Sequence, residues 1–272
     1  LRRGNECFKS TGNGMRNILS EIIHHKREEV KQTSRVRPLP HSQPAPLKSR
    51  SLAAALKAPG IGVIAEIKRR SPSAGDISPG AYPVQIALDY ERAGAAAISI
   101  LTDEKYFGGN LDILRQVRQA VTIPVLRKDF IITEYQVHES ADAGTDGILL
   151  ITEALTRGEL ARLYTLAGDL GLDVLVEFHD PANLSIISDL NPHIVGVNCR
   201  DLTTMTTDLK RFESLFHELP HDAVKVAESG IKKAVDLEYV ASLGYDAALV
   251  GTSLMRSGEP GAALEKMLEG VA

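Results

Sequence analysis

Tryptophan is absent from this 272-residue chain, cysteine occurs twice, and aromatic residues make up only 5%. The missing tryptophan excludes nothing. Cys7 and Cys199 lie far apart in unlike contexts, which argues against a disulfide framework and suits a reduced, cytoplasmic protein. No stretch is apolar enough to span a bilayer. A formal net charge of −4 and a pI near 6.1 leave no positive excess for nucleic acid or an anionic membrane. An anionic ligand must therefore be held by locally placed groups and not by the overall field. The eight histidines are scattered, and the adjacent His24 and His25 face different ways on a helix, so no metal site is expected. No cofactor is expected either, because no glycine-rich dinucleotide fingerprint follows the first strand.

Hydrophobic residues account for 43% of the chain, enough for a large core. Residues 1–14 are polar and aperiodic and read as a disordered extension or a cloning remnant, with native structure beginning near Met15. Arg2 and Arg3 precede no apolar segment, so a signal peptide is not expected. Residues 15–58 read as a helical extension. Ile18, Leu19, Ile22, Ile23 and Val30 share one face of an amphipathic helix. Four prolines between 35 and 49 make an extended connector, and "SLAAALKA" a short helix.

From residue 59 to 272 a rhythm sets in. Eight runs rich in Val, Ile, Leu and Ala occur at 63–67, 95–101, 123–128, 147–151, 173–178, 194–198, 224–228 and 247–250. Continuous apolar runs suit strands buried on both faces, as parallel sheets require. Helical patterns separate them, several ending in glycine. Eight strand–helix repeats predict an α/β fold: a single (β/α)8 TIM barrel with an N-terminal helical extension.

Active sites of such barrels lie at the C-terminal strand ends. Glu66 and Lys68 close the first run two residues apart, hence on one face. Lys128 closes the third run on the parity of Leu126, while Arg127 points the other way. Glu177 closes the fifth, with His179 on the same parity as a supporting partner. Asn198 and Arg200 close the sixth, with Cys199 opposite, and Glu228 and Ser229 close the seventh. A lone Glu or Lys there reads equally well as a rim ion pair. The whole set desolvated together is costly unless function or mutual pairing offsets it. Gly230 and Gly251, after the last two strands, put backbone amides where barrels of this kind commonly hold a phosphate. Ser229, Thr252 and Ser71 can add hydroxyls. Gly108 and Gly109 read as a turn, and His138 as a surface residue.

These segments resemble the indole-3-glycerol phosphate synthase family, from about Met15 to the C-terminus. "AEIKRRSPSAG", "PVLRKDFIITEYQV", "LVEFHD", "VNCRDL", "VAESGI" and "LVGTSLM" match its strand ends in order. Departures are small: Arg70, Cys199 and Asn110 replace commoner residues, and Arg70 should point away from the site. The resemblance implies a lyase of tryptophan biosynthesis acting on 1-(2-carboxyphenylamino)-1-deoxyribulose 5-phosphate, which closes to an indole with loss of carbon dioxide and water. Lys128 is the candidate acid at the ketone, and the division of steps between the two lysines stays open. Lys68, beside Glu66, would hold the substrate carboxylate or protonate in the later dehydration. Glu177 would be a base, or stabilise charge on the anilinium nitrogen. Asn198, Ser229 and Glu228 would bind the ribulose hydroxyls and orient the lysines. Phe130, Leu101 and Leu149 would enclose the aromatic ring, and Arg200 with Gly230, Gly251 and Thr252 the phosphate. Two neighbouring lysines are expected to lower each other's pKa.

Two rivals predict different residues. A sibling phosphate-binding isomerase barrel needs a Cys or carboxylate base on the first strand with an Asp acid opposite, and no Asp holds that place. A barrel acting only as a binding partner predicts missing acid–base residues, yet all are present. No contact with other enzymes of the pathway is legible.

Overall fold

The computed structural model describes residues 18–38, 50–72, 74–78, 80–201 and 206–271. The expected start near Met15, the leading residues 1–14 and most of the proline-rich connector lie outside these residues. Eight parallel strands close into a barrel: β1 (Gly62–Ile67), β2 (Ala97–Leu101), β3 (Val125–Lys128), β4 (Gly147–Ile151), β5 (Asp173–Phe178), β6 (Ile194–Asn198), β7 (Val224–Glu228) and β8 (Ala247–Val250). Each pairs with its sequence neighbours, and β1 pairs with β8 to complete the ring. Two expected runs start two residues early. Ala95, Ala96, Ile123 and Pro124 belong to turns that pack into the core, and apolar content alone does not separate a buried turn from a strand.

The helices of five residues or more are α1 (Ile18–Val36), α2 (Leu52–Leu56), then α3 (Pro83–Arg92), α4 (Leu111–Ala120), α5 (Glu134–Asp142), α6 (Arg157–Asp169), α7 (Leu184–Leu190), α8 (Lys210–Phe216), α9 (Ala234–Ser242) and α10 (Pro260–Glu269). The crossover helices α3–α10 wrap the barrel. Local sequence starts and stops them. Asn110, Thr133 and Thr156 accept amide hydrogens at helix N-termini, and Thr156 forms a reciprocal box with Glu159. Gly94, Gly144, Gly171 and Gly244 follow four helices with positive φ, where a side chain would be strained.

Strand alternation divides the core in two. On β1, Val63, Ala65 and Ile67 face the outer helices, packing with Tyr90, Leu114 and Phe212 among others. Ile64 faces inward with Leu126, Leu149, Leu175, Ile194, Val226 and Leu249. Leu52 and Leu56 of α2 join this inner cluster, closing the N-terminal mouth of the barrel. Both are essentially inaccessible to solvent, and together contribute about 3–6 kcal/mol of transfer free energy. Asp173 fixes this plug by accepting from Ser51 Oγ at 3.3 Å and from the Ala53 amide at 3.1 Å. With the lower end sealed, inward positions higher on the strands open only upward.

Candidate active site

The inward series on each strand turns from apolar to charged near its C-terminal end. On β1, Ile64 is followed by Glu66 and Lys68, with Lys68 Nζ 2.5 Å from Glu66 Oε1. On β3, Leu126 is followed by Lys128. Its Nζ lies 2.9 Å from Glu177 Oε2 and 3.2 Å from Glu228 Oε2, spanning β5 and β7. Glu177 Oε1 accepts from Asn198 Nδ2 at 3.0 Å and meets His179 Nε2 at 2.9 Å. Glu66, Glu177 and Glu228 are each at most 2% exposed. Arg127, of opposite parity, is buried on the outer side with Asp129 and Glu139.

These distances set the charges. Burial alone would push the Lys128 ammonium down, but Glu177, Glu228 and Glu66 outweigh it and raise the pKa. The expectation that neighbouring lysines lower each other is therefore corrected for Lys128: three carboxylates surround it, and the Lys68 ammonium bonds to Glu66. Burial opposes ionisation of Glu177, yet Lys128 and His179 hold its carboxyl well below the usual range. Burial and the Glu177 charge together push Glu228 well above it, despite Lys128. Burial depresses His179, but its hydrogen bond to Glu177 raises it overall. The two neighbouring carboxyls are thus shifted in opposite directions. Glu228 Oε1 is buried without a hydrogen-bond partner.

Glycines make room for this arrangement. A Cβ at Gly196 would lie 2.2 Å from Glu228 Oε1, and one at Gly251 2.3 Å from Glu66 Oε1. Close packing against Glu66 thus requires the glycine at 251, whatever else its amide does. Ser229 has φ 71°, an uncommon value for a non-glycine residue, and Gly230 follows at 75°.

Above the charged floor opens a cavity of about 970 Å³. All the residues selected from sequence line it. Leu101, Phe130 and Leu149 form an apolar side, while Ser71, Arg200, Ser229, Gly230, Gly251 and Thr252 lie on its border with Glu66, Lys68, Lys128, Glu177, Asn198 and Glu228. Among the described residues, no group of three or more His, Cys, Asp or Glu side chains is placed to hold a metal. No helix there is long and apolar enough to cross a membrane.

A model of the family described as indole-3-glycerol phosphate synthase matches residues 19–267. The chain belongs to the indole-3-glycerol phosphate synthase family. A protein of that name from Geobacillus sp. (strain WCH70) is 46% identical over 257 residues, covering 93% of this chain and 98% of its own length. One from Geobacillus kaustophilus (strain HTA426) is 50% identical over 242 residues, covering 88% and 92%. One from Bacteroides thetaiotaomicron is 41% identical over 260 residues, covering 94% and 100%. Among solved structures, 3-hexulose-6-phosphate synthase from Salmonella typhimurium superposes with a TM-score of 0.63 at 13% identity, covering 77% of this chain and 98% of that one. Identity that low speaks for the barrel alone.

Membership in the synthase family leaves several lining residues that sequence reading passed over. Ile18, Leu19 and Ile22 of α1 wall the cavity, as do Phe107, Lys232, Ser253 and Arg256. The Phe107 ring lies 6.1 Å from that of Phe130. Arg256 donates to the Ala74 carbonyl at 3.4 Å, tying the loop after β8 to the one after β1. Arg69 Nε donates to the Gly108 carbonyl at 3.0 Å, linking that loop to the one after β2. Arg70 points away, onto the carbonyls of Glu104 and Lys105. Cys199 is buried behind Asn198, its thiol donating to the Ser229 carbonyl at 3.4 Å. His138 is half-buried on α5. The sequence signal for the α1 wall is its apolar stripe.

Proposed function

We propose that the chain closes 1-(2-carboxyphenylamino)-1-deoxyribulose 5-phosphate to indole-3-glycerol phosphate, releasing carbon dioxide and water, in a cytoplasmic setting. The ring carbon bearing the carboxylate forms a bond to the ketone carbon, and the ketone oxygen takes a proton. Carbon dioxide then leaves, its bonding electrons restoring the aromatic ring. Finally the new hydroxyl leaves as water while a base takes a proton from the adjacent carbon.

The observation that carries this reading is Lys128, fixed between Glu177 and Glu228 at the floor of the cavity. An ammonium held in place there stabilises the negative charge that develops on a ketone oxygen under attack. Lys68, beside Glu66 at the end of β1, is the second donor, for the substrate carboxylate or for the departing hydroxyl. Glu177, kept ionised, accepts the proton lost in dehydration. Asn198 and Ser229 hold ribulose hydroxyls. The aromatic ring lies against Leu101, Leu149, Phe107 and Phe130. The phosphate sits at the other end, near Arg200, Gly230, Gly251 and Thr252, with Lys232 and Arg256 on the same side. Glu228 holds Lys128 through Oε2 and orients it.

The test is turnover. The purified chain supplied with the carboxyphenylamino-ribulose phosphate should generate indole fluorescence with one carbon dioxide released per indole formed. No indole from a correctly folded chain overturns the proposal.

A further inference from the structure

One lysine lies on the apolar stripe of α1. Ile22, Lys26 and Val30 follow each other at four-residue spacing, and all three are buried. Lys26 is 1% exposed. A buried ammonium at a helix–barrel contact is costly unless several acceptors meet it. Here three do. Its Nζ lies 2.8 Å from Asp103 Oδ2, 3.1 Å from Asp129 Oδ1 and 3.1 Å from Glu29 Oε2.

Each barrel partner leads to a wall of the cavity. Asp103 Oδ1 accepts from the Tyr106 amide at 2.7 Å, capping the short helix Glu104–Phe107 that carries Phe107. Asp129 Oδ1 accepts from the Phe130 amide at 2.8 Å, and Asp129 directly follows Lys128. Its Oδ2 is held by Thr102 at 2.6 Å and by Arg127 at 3.1 Å, so it is fixed from the barrel side. The third wall is α1 itself, through Ile18, Leu19 and Ile22.

We infer that Lys26 is a positioning residue, whose single ammonium sets α1, Phe107 and Phe130 at one spacing and so shapes the aromatic end of the cavity. This rests on the proposed function, which places the substrate ring at that end. No ion pair of Lys26 reaches the phosphate end, built from the loops after β6, β7 and β8; that end meets the short helix indirectly, through Arg256 on Ala74 and then Arg69 and Arg70 on Gly108, Glu104 and Lys105. Removing the charge should therefore weaken ring binding and spare phosphate binding, a division that general destabilisation does not produce.

The test compares inhibition of full-chain turnover by 2-aminobenzoate, which presents the ring, and by inorganic phosphate. In Lys26→Met the inhibition constant for 2-aminobenzoate and the KM should each rise at least tenfold. The constant for phosphate and kcat should stay within threefold. Asp103→Asn keeps the acceptor for Tyr106 and removes only the charge facing Lys26. It should show the same division, and it decides the matter if Lys26→Met does not fold. Phe130→Ala serves as the control for the ring site. If it weakens 2-aminobenzoate while the folded variant of Lys26, or of Asp103, does not, the inference is overturned and the proposed function stands. If Phe130→Ala leaves inhibition unchanged, the ring placement fails, and the inference falls with it.

Discussion

Replacing Lys128 with methionine keeps most of the stem and deletes the charge between Glu177 and Glu228. At 2.9 Å and an effective dielectric of about 20, the gross attraction to Glu177 is about 6 kcal/mol. Much of that offsets desolvation, and losing one partner of a buried pair typically costs about 3–5 kcal/mol. Two features lower the figure here. The raised pKa of Glu228 shifts it towards the neutral form, so Glu177 loses most of the counter-charge, and Asn198 and His179 remain on its other oxygen. Glu177 can also take up a proton, at about 3–4 kcal/mol for an ordinary carboxyl at neutral pH. The expected stability loss at pH 7 is therefore about 2–4 kcal/mol, read from urea unfolding midpoints. The sign follows from Glu177. Its depressed pKa stabilises the parent above the ordinary value of 4.5, and that support is lost as pH falls below it. The gap between parent and variant should be widest at neutral pH and close on acidification. Glu177→Gln in the Lys128→Met background should recover much of the stability and none of the activity. Turnover, followed by indole fluorescence, should fall by about 10³, within the range for removing a positioned acid. A kcat within tenfold of the parent, or equal stabilities at pH 7, would refute the reasoning.

Three further outcomes are expected. Because the pKa of Glu228 is raised and that of Glu177 depressed, Glu228→Gln should keep kcat within about tenfold, whereas Glu177→Gln should lose at least about 10²; equal losses in steady-state kinetics would contradict the opposite shifts. His179 has a raised pKa through its bond to Glu177, so it contributes stability that is full below 6.5 and is lost as pH rises through its folded value. His179→Asn should flatten that decline in thermal melts across neutral to alkaline pH, and an unaltered slope would count against the pairing. A Cβ at Gly109 would meet the Leu101 carbonyl oxygen at 1.8 Å, a backbone atom with little freedom to yield. Gly109→Ala should cost about 2–4 kcal/mol in chemical denaturation, and a change under 0.5 kcal/mol would show that the turn relaxes freely.

Much of the fold was legible because its core is made by short buried strands. Five of the eight apolar runs coincide with the observed strands, and β1 differs by one residue. Parity alone placed Glu66, Lys68, Lys128, Glu177, Asn198 and Glu228 inward, since alternation continues from Ile64, Leu126, Leu175, Ile194 and Val226 to the strand ends. The charges were not legible. They depend on separations across the ring, such as Lys128 to both Glu177 and Glu228, which no local pattern encodes. Gly196 and Gly251 offered a hint, because glycine within or just beyond a buried strand marks close approach by a neighbour. Lys26 was passed over, because the charges of α1 read as lying off its apolar face. Its meaning required knowing that Asp103 and Asp129, at the ends of two strands, face that helix.

The most direct measurement is a crystal structure of the Lys128→Met chain with its substrate bound. The phosphate should lie against the amides of Gly230 and Gly251, the ring against Leu101, Leu149, Phe107 and Phe130, and the ketone oxygen towards the position vacated by the ammonium. A substrate bound in the reverse direction, or outside the cavity floored by Glu66, Glu177 and Glu228, would contradict the assignment of these groups to ring closure.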